Sequence, residues 1–110
     1  MVQLILGKKG KGKTKTILEM VNKEINGASG NIVYLDKSMS HMYELNNKVR
    51  LINVLDYDIQ NADEFVGFIR GILSQDHDLE QIYFDSFLKI ACLEETDRIE
   101  EIVTKLERIS

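Results

Sequence analysis

Between Gly7 and Thr14 the chain reads GKKGKGKT, and five lysines fall between Lys8 and Lys15. Glycines let a backbone curl until successive amide N–H groups point inward at one spot. A helix beginning at the end of such a loop adds its own free N–H groups and the positive end of its dipole. Both features favour an anion, and phosphate oxygens match the geometry. In that chemistry the Lys13 ammonium reaches the β- and γ-phosphates while the Thr14 hydroxyl takes a place on Mg²⁺. Two lysine charges ~6 Å apart in water repel by roughly 0.7 kcal/mol, and a triphosphate would relieve the repulsion among all five. Gly7, Lys8, Lys9, Gly10, Lys11, Gly12, Lys13, Thr14 and Lys15 are therefore the candidate nucleotide-binding residues. Lys8, Lys9, Lys11 and Lys15 are assigned mainly to raising the local potential.

Magnesium on a phosphate needs a carboxylate in its shell. Ile82–Asp85 reads IYFD, three apolar residues and then an acid, which places Asp85 at the end of a buried strand and on Mg²⁺ through water. Ser86 follows it as a hydrogen-bonding neighbour. A hydrolase also needs a group to orient or deprotonate the attacking water. Asp36 ends NIVYLD, but no glutamate follows it before Glu44, and no Asp-Glu pair stands at position 85.

The elements that must position these residues alternate along the chain. Val2–Leu6 is a short apolar run closed by Gly7, hence a buried strand. Ile17, Leu18, Val21 and Ile25 recur at helical spacing, and Asn26-Gly27 stops that helix. Asn31–Asp36 and Val49–Val54 are β-branched and apolar, and each predicts a strand. KSMSHMYELNN between them is compatible with a short helix starting at Ser38 or Ser40. Asn61 and Glu64 have the spacing of a capping box, ahead of a helix with Phe65, Phe68, Ile69 and Ile72 inward. Gln81–Phe87 predicts a fourth strand. Asp97 and Glu100 are the expected caps of a last helix with Ile99, Ile102, Val103, Leu106 and Ile109 on one side, and Glu94-Glu95 favour its start. The alternation predicts an α/β fold: a three-layer parallel sheet of four strands with flanking helices, in a single domain over residues 1–110.

With Gly7, Gly12, Lys13 and Thr14 at the defining places, the loop resembles the P-loop of the P-loop NTPases, and IYFD resembles their Walker B strand. Over nearly its whole length the chain is similar to the RecA-like branch, in which a further strand lies between the P-loop strand and the Walker B strand. Two strands (31–36 and 49–54) precede Asp85 here, and DSF after the apolar run has the RecA-like look. That resemblance implies binding of ATP or ADP with Mg²⁺. It also implies hydrolysis slow at best, since Asp36 stands where those enzymes place a glutamate. A non-hydrolysing nucleotide-binding module is the alternative. A second alternative is the partition-type ATPase, whose K-G-G-x-G-K-T loop matches Lys8 but not Lys9. RecA-like sheets run 5-1-4-3-2, so a chain lacking the fifth strand leaves Val2–Leu6 on an edge with unpaired backbone groups. The expectation is that these residues are a C-terminally truncated piece of a longer protein, or that another chain covers the edge, most simply in a homodimer.

Bulk properties narrow the field. Acidic side chains outnumber basic ones 18 to 14, which argues against a non-specific nucleic-acid binder. No apolar run approaches the ~20 residues of a membrane span. The single Cys92 excludes an internal disulfide and suits a reducing cytoplasm; its expected role is that of a small packing residue. No GTPase base-reading motif and no arginine-rich kinase lid is present. His41 is expected at the surface, and the acidic run around His77 is expected to close a helix.

Overall fold

A computed structural model describes residues 2–7, 13–94 and 98–110. Four strands form one sheet: β1 (Gln3–Leu6), β2 (Asn31–Asp36), β3 (Arg50–Asn53) and β4 (Leu79–Phe84), with α1 (Lys13–Glu24), α2 (Ala62–Gln75), α3 (Phe87–Ile90) and α4 (Ile99–Ile109) around it. All pairings are parallel and the order is β1-β4-β2-β3. The four-stranded parallel α/β sheet with flanking helices agrees with the sequence pattern.

Its order does not follow the RecA-like expectation. β1 and β4 pair directly, from Gln3↔Gln81 to Leu6↔Phe84, as they would in 1-4-3-2. Relative to 1-4-3-2, β2 and β3 have exchanged places. The physical reason lies in their composition. From Ile32 to Asp36 β2 is buried throughout, whereas β3 is short and begins on the exposed Arg50, so the more apolar strand takes the interior position. β1 lies on the other edge, as expected, and the Val2 N–H donates to the Ser110 carbonyl at 3.2 Å.

Alternation along the strands divides the core in two. Ile32, Tyr34 and Tyr83 face α1, where Ile17, Leu18, Val21 and Ile25 meet them. Val33, Leu35, Ile82 and Phe84 face the opposite layer of α2, α3 and α4, built on Phe65, Ile69, Phe87, Ile90, Ile102 and Leu106. The connection β1–α1–β2 runs one way along the sheet and β3–α2–β4 returns the other way. Right-handed crossovers then put α1 and α2 on opposite faces.

Several local readings change. The segment after β2 forms turns instead of a helix, and Val54–Tyr57 is a 3₁₀ turn beyond a strand that stops at Asn53. β4 begins two residues earlier than expected and ends at Phe84; the chain then turns into α3. Asn61 caps α2 by accepting from the Glu64 N–H at 2.9 Å, but Glu64 accepts from the Gln60 N–H instead of closing the reciprocal bond. Arg98 is the N-cap of α4 and gives no side-chain cap; Asp97 and Glu95 lie outside the described residues. Cys92 is exposed with φ 58°, its thiol directed to the Ile59 carbonyl, so it is not a packing residue. Around His77, Asp76 accepts from Asn31, Arg50 and the Asp78 N–H, which makes that acidic run a structural closure of α2.

Gly30 marks the close entry of β2 beside β4. A Cβ there would lie 2.1 Å from the Asp78 carbonyl oxygen, a backbone atom that cannot swing away. Gly30→Ala is therefore expected to destabilise the fold by about 1–3 kcal/mol, as overpacking does. Urea unfolding of the two proteins measures the difference, and equal midpoints would show that the β2 entry yields freely.

Candidate functional site

Adjacent strands whose following connections leave toward opposite faces open a crevice at their carboxyl ends. β1 and β4 are such a pair: β1 leads to α1, while β4 leads into α3 and α4 in the other layer. Gly7 and Asp85 are the residues that follow these two strands, and Asp36 ends β2 on the far side of β4. Three candidates spread over the sequence thus meet at one end of the sheet.

Face alternation turns them toward α1. Asp85 lies two residues beyond Tyr83 and Asp36 two residues beyond Tyr34, both tyrosines on the α1 face. Gly7 closes the seam, its N–H donating to the Phe84 carbonyl at 2.9 Å. A Cβ on Gly7 would fall 2.1 Å from Ile17 Cδ1 of α1, so the missing side chain lets the loop start against the helix. Thr14, in the first turn of α1, donates from its hydroxyl to Asp85 Oδ1 at 3.2 Å. Lys8, Lys9, Gly10, Lys11 and Gly12 lie outside the described residues, as does the side chain of Lys13; Lys15 is exposed on α1.

The other oxygen of Asp85 belongs to a residue that sequence reasoning missed. Tyr34, fully buried, donates its hydroxyl to Asp85 Oδ2 at 2.7 Å. Burial, and next the hydrogen bond to Asp85, push the Tyr34 hydroxyl far above its ordinary range, so it stays a donor. The signal was present in NIVYLD, where Tyr34 sits one strand period before Asp36 on the same face. Ser86 adopts a left-handed conformation (φ 58°, ψ 46°) and makes no side-chain cap to α3. Such backbone is uncommon for a non-glycine residue, and here it turns the chain sharply after Asp85.

Asp36 is only 2% exposed. Its Oδ1 accepts the Lys37 N–H at 2.7 Å, while Oδ2 is buried and finds no partner among the described residues. Burial pushes this carboxyl above the usual carboxylate range; the Lys37 N–H opposes the rise and the nearby Asp85 adds to it. His41 is the second missed residue: partly exposed at the surface, it stands beside the two carboxylates. Its segment is pinned to α1 by Asn22, which donates to the Glu44 carbonyl at 2.7 Å and accepts from the Asn46 N–H at 2.8 Å. Leu45 is buried beneath the same turn. His41 Nδ1 pairs with Glu44 Oε1 at 3.0 Å, and the ligand atoms of Asp36, His41 and Asp85 all lie within 4.8 Å of one another.

The donor set fits a hard cation beside the loop. Thr14 Oγ1 donates to Asp85 Oδ1 at 3.2 Å, so an Mg²⁺ ion on the Thr14 oxygen would have the Asp85 carboxylate just outside its shell, within reach of a bound water. The unpartnered Asp36 oxygen adds negative charge next to it. By contrast, a polar groove at the amino-terminal end of the sheet, lined by Gln3, Ser29, Gly30, His77, Asp78 and Glu80, holds none of these residues. There Glu80 is engaged by Ser29 and by the Gly30 N–H.

No family model matches the chain, and neither does any curated protein or solved structure.

The orphaned Asp36 oxygen has a consequence for stability. A carboxyl whose pKa is raised by folding contributes stability below its unfolded pKa and loses it as pH rises through the folded value. Asp36→Asn keeps the acceptor for Lys37 and removes the buried charge. The variant should be more stable than the parent at pH 7.5 by about 1 kcal/mol, the scale of an unsatisfied buried polar group. That gain should shrink as pH falls toward 4, where Asp36 is protonated. Thermal unfolding against pH measures it; a gain that does not vary with pH would mean that the carboxyl is not held above its ordinary range.

Proposed function

We propose that this chain is a P-loop nucleotide-binding domain that takes ATP or ADP with Mg²⁺ at the carboxyl ends of β1 and β4 and hydrolyses ATP slowly. One observation carries the reading. The Thr14 hydroxyl, at the start of the helix that follows the glycine-lysine loop, meets the Asp85 carboxylate across 71 residues of sequence. A magnesium ion bridging the loop and the neighbouring strand needs a hydroxyl and a carboxylate in that relation. The crevice position beyond the strand ends supports the same reading.

In this proposal the loop amides and Lys13 hold the phosphates, Thr14 and Asp85 hold magnesium, and Asp36 orients water. Tyr34 and the backbone fix Asp85 and Asp36, so the carboxylates are pre-positioned before substrate arrives. Asp36 has a shorter reach than a glutamate, which is the reason to expect slow turnover. The proposal is for the P-loop class; the RecA-like branch receives no support from a sheet in which β2 and β3 have exchanged places relative to 1-4-3-2. The open edge of β1 supports, as part of the same proposal, an association that covers it, a second copy being the simplest. Sedimentation at rising concentration should then show a dimer; a monomer throughout would remove that part alone.

Millimolar MgATP should raise the melting temperature by mass action, and Lys13→Ala should lose most of the shift while keeping the fold. Turnover of the parent should fall well below one per second, and Asp36→Asn should lower it further. An undiminished ATP shift in Lys13→Ala would falsify the nucleotide assignment. Turnover of several per second, or a rate untouched by Asp36→Asn, would remove Asp36 from the chemistry.

A further inference from the structure

The cluster beyond β2 and β4 contains more than a magnesium shell requires. Oxygen ligands and water suffice for Mg²⁺, which holds its waters and gains little from an imidazole. Here a histidine joins two carboxylates. His41 is not a free surface side chain that happens to approach, because Asn22 and Leu45 hold its turn against α1. The Glu44 carboxylate at 3.0 Å from Nδ1 fixes the ring's orientation, an arrangement typical of the outer partner of a metal-bound histidine. That leaves the second ring nitrogen as a ligand.

Asp36 provides an independent indication. A carboxylate oxygen that is fully buried and unpartnered among the described residues is costly, and a cation is the partner that would satisfy it. Asp85 can share in the site without giving up its existing bonds, since each carboxylate oxygen accepts more than once and Thr14 and Tyr34 take one position each. The three ligand atoms lie within 4.8 Å of one another. Tetrahedral ligands at ~2.0–2.1 Å from zinc stand about 3.4 Å apart, so a closure of at most about 1.4 Å, within reach of side-chain torsions that move His41 and Glu44 together, completes the set.

We infer that Asp36, His41 and Asp85 form a binding site for a divalent transition-metal ion, of the zinc, cobalt or manganese type, that fills without nucleotide. Three protein ligands leave coordination positions open. These face the crevice that Gly7 and Thr14 border, so water or a phosphate oxygen is the natural further ligand. The inference does not rest on the nucleotide reading, because the ion is held by protein groups alone.

The test uses the full chain with no nucleotide present and Co²⁺ as the probe. Titration should give one equivalent of tightly bound Co²⁺ with visible absorption bands of a low-coordinate site, and millimolar Mg²⁺ should leave the bands in place. His41→Ala and Asp36→Asn should each weaken Co²⁺ at least tenfold. Circular dichroism checks that both variants remain folded; His41 is partly exposed and Asp36→Asn relieves a buried charge, so neither should unfold the chain. Absence of uptake, displacement by Mg²⁺, or unchanged affinity in either variant overturns the site. Failure of MgATP to bind would leave this result standing, and failure of Co²⁺ to bind would leave the nucleotide reading standing.

Discussion

β4 is hydrogen-bonded along both edges, to β1 on one side and to β2 on the other. A strand in that position must be apolar on both faces, and Ile82, Tyr83 and Phe84 are fully buried. Everything of chemical interest depends on this insertion. By separating β1 from β2, β4 lets the first connection cross it on the α1 face. It also delivers Asp85 between Gly7 and Asp36. Were β4 moved to an edge, the two carboxylates and the Thr14 hydroxyl would no longer share one end of the sheet.

Placing two carboxylates at the rim of an apolar sheet is costly, and the surrounding groups show how the cost is divided. Asp85 is stabilised by two hydroxyl donors, one from α1 and one from β2. The second of these, Tyr34, stacks beside Tyr83 with ring centroids 6.3 Å apart, so the donor is held by the same packing that builds the α1 face. Asp36 has only the Lys37 N–H and keeps one oxygen without a partner among the described residues. The imbalance is informative because native proteins satisfy nearly all buried polar atoms. Both oxygens of Asp85 thus have a donor, while Asp36 has one for a single oxygen.

Much of the fold was legible in short windows. The apolar spacing of α1 from Ile17 to Ile25 and the unbroken NIVYLD of β2 are local patterns, and both elements formed where the residues indicated. Windows failed where tertiary forces outweighed local preference. The serine-rich stretch after β2 has helix-start signals, yet Asn22 of α1 ties its backbone into turns. Cys92 looked like a packing residue by type and is exposed, because the turn after α3 sets its backbone at positive φ and faces the thiol toward Ile59.

For the site, the sequence by itself determined the types of residue available: a glycine-lysine loop followed by a threonine, and acids ending two apolar strands. These are matters of composition and of spacing within a few positions. Only the tertiary structure decided which strands are neighbours. In a parallel sheet every partner is reached through a crossover, so pairing is set by how whole strands bury their faces and not by any nearby signal. That choice put β2 against β4, brought Tyr34 to Asp85 across 51 residues, and set His41 beside both carboxylates.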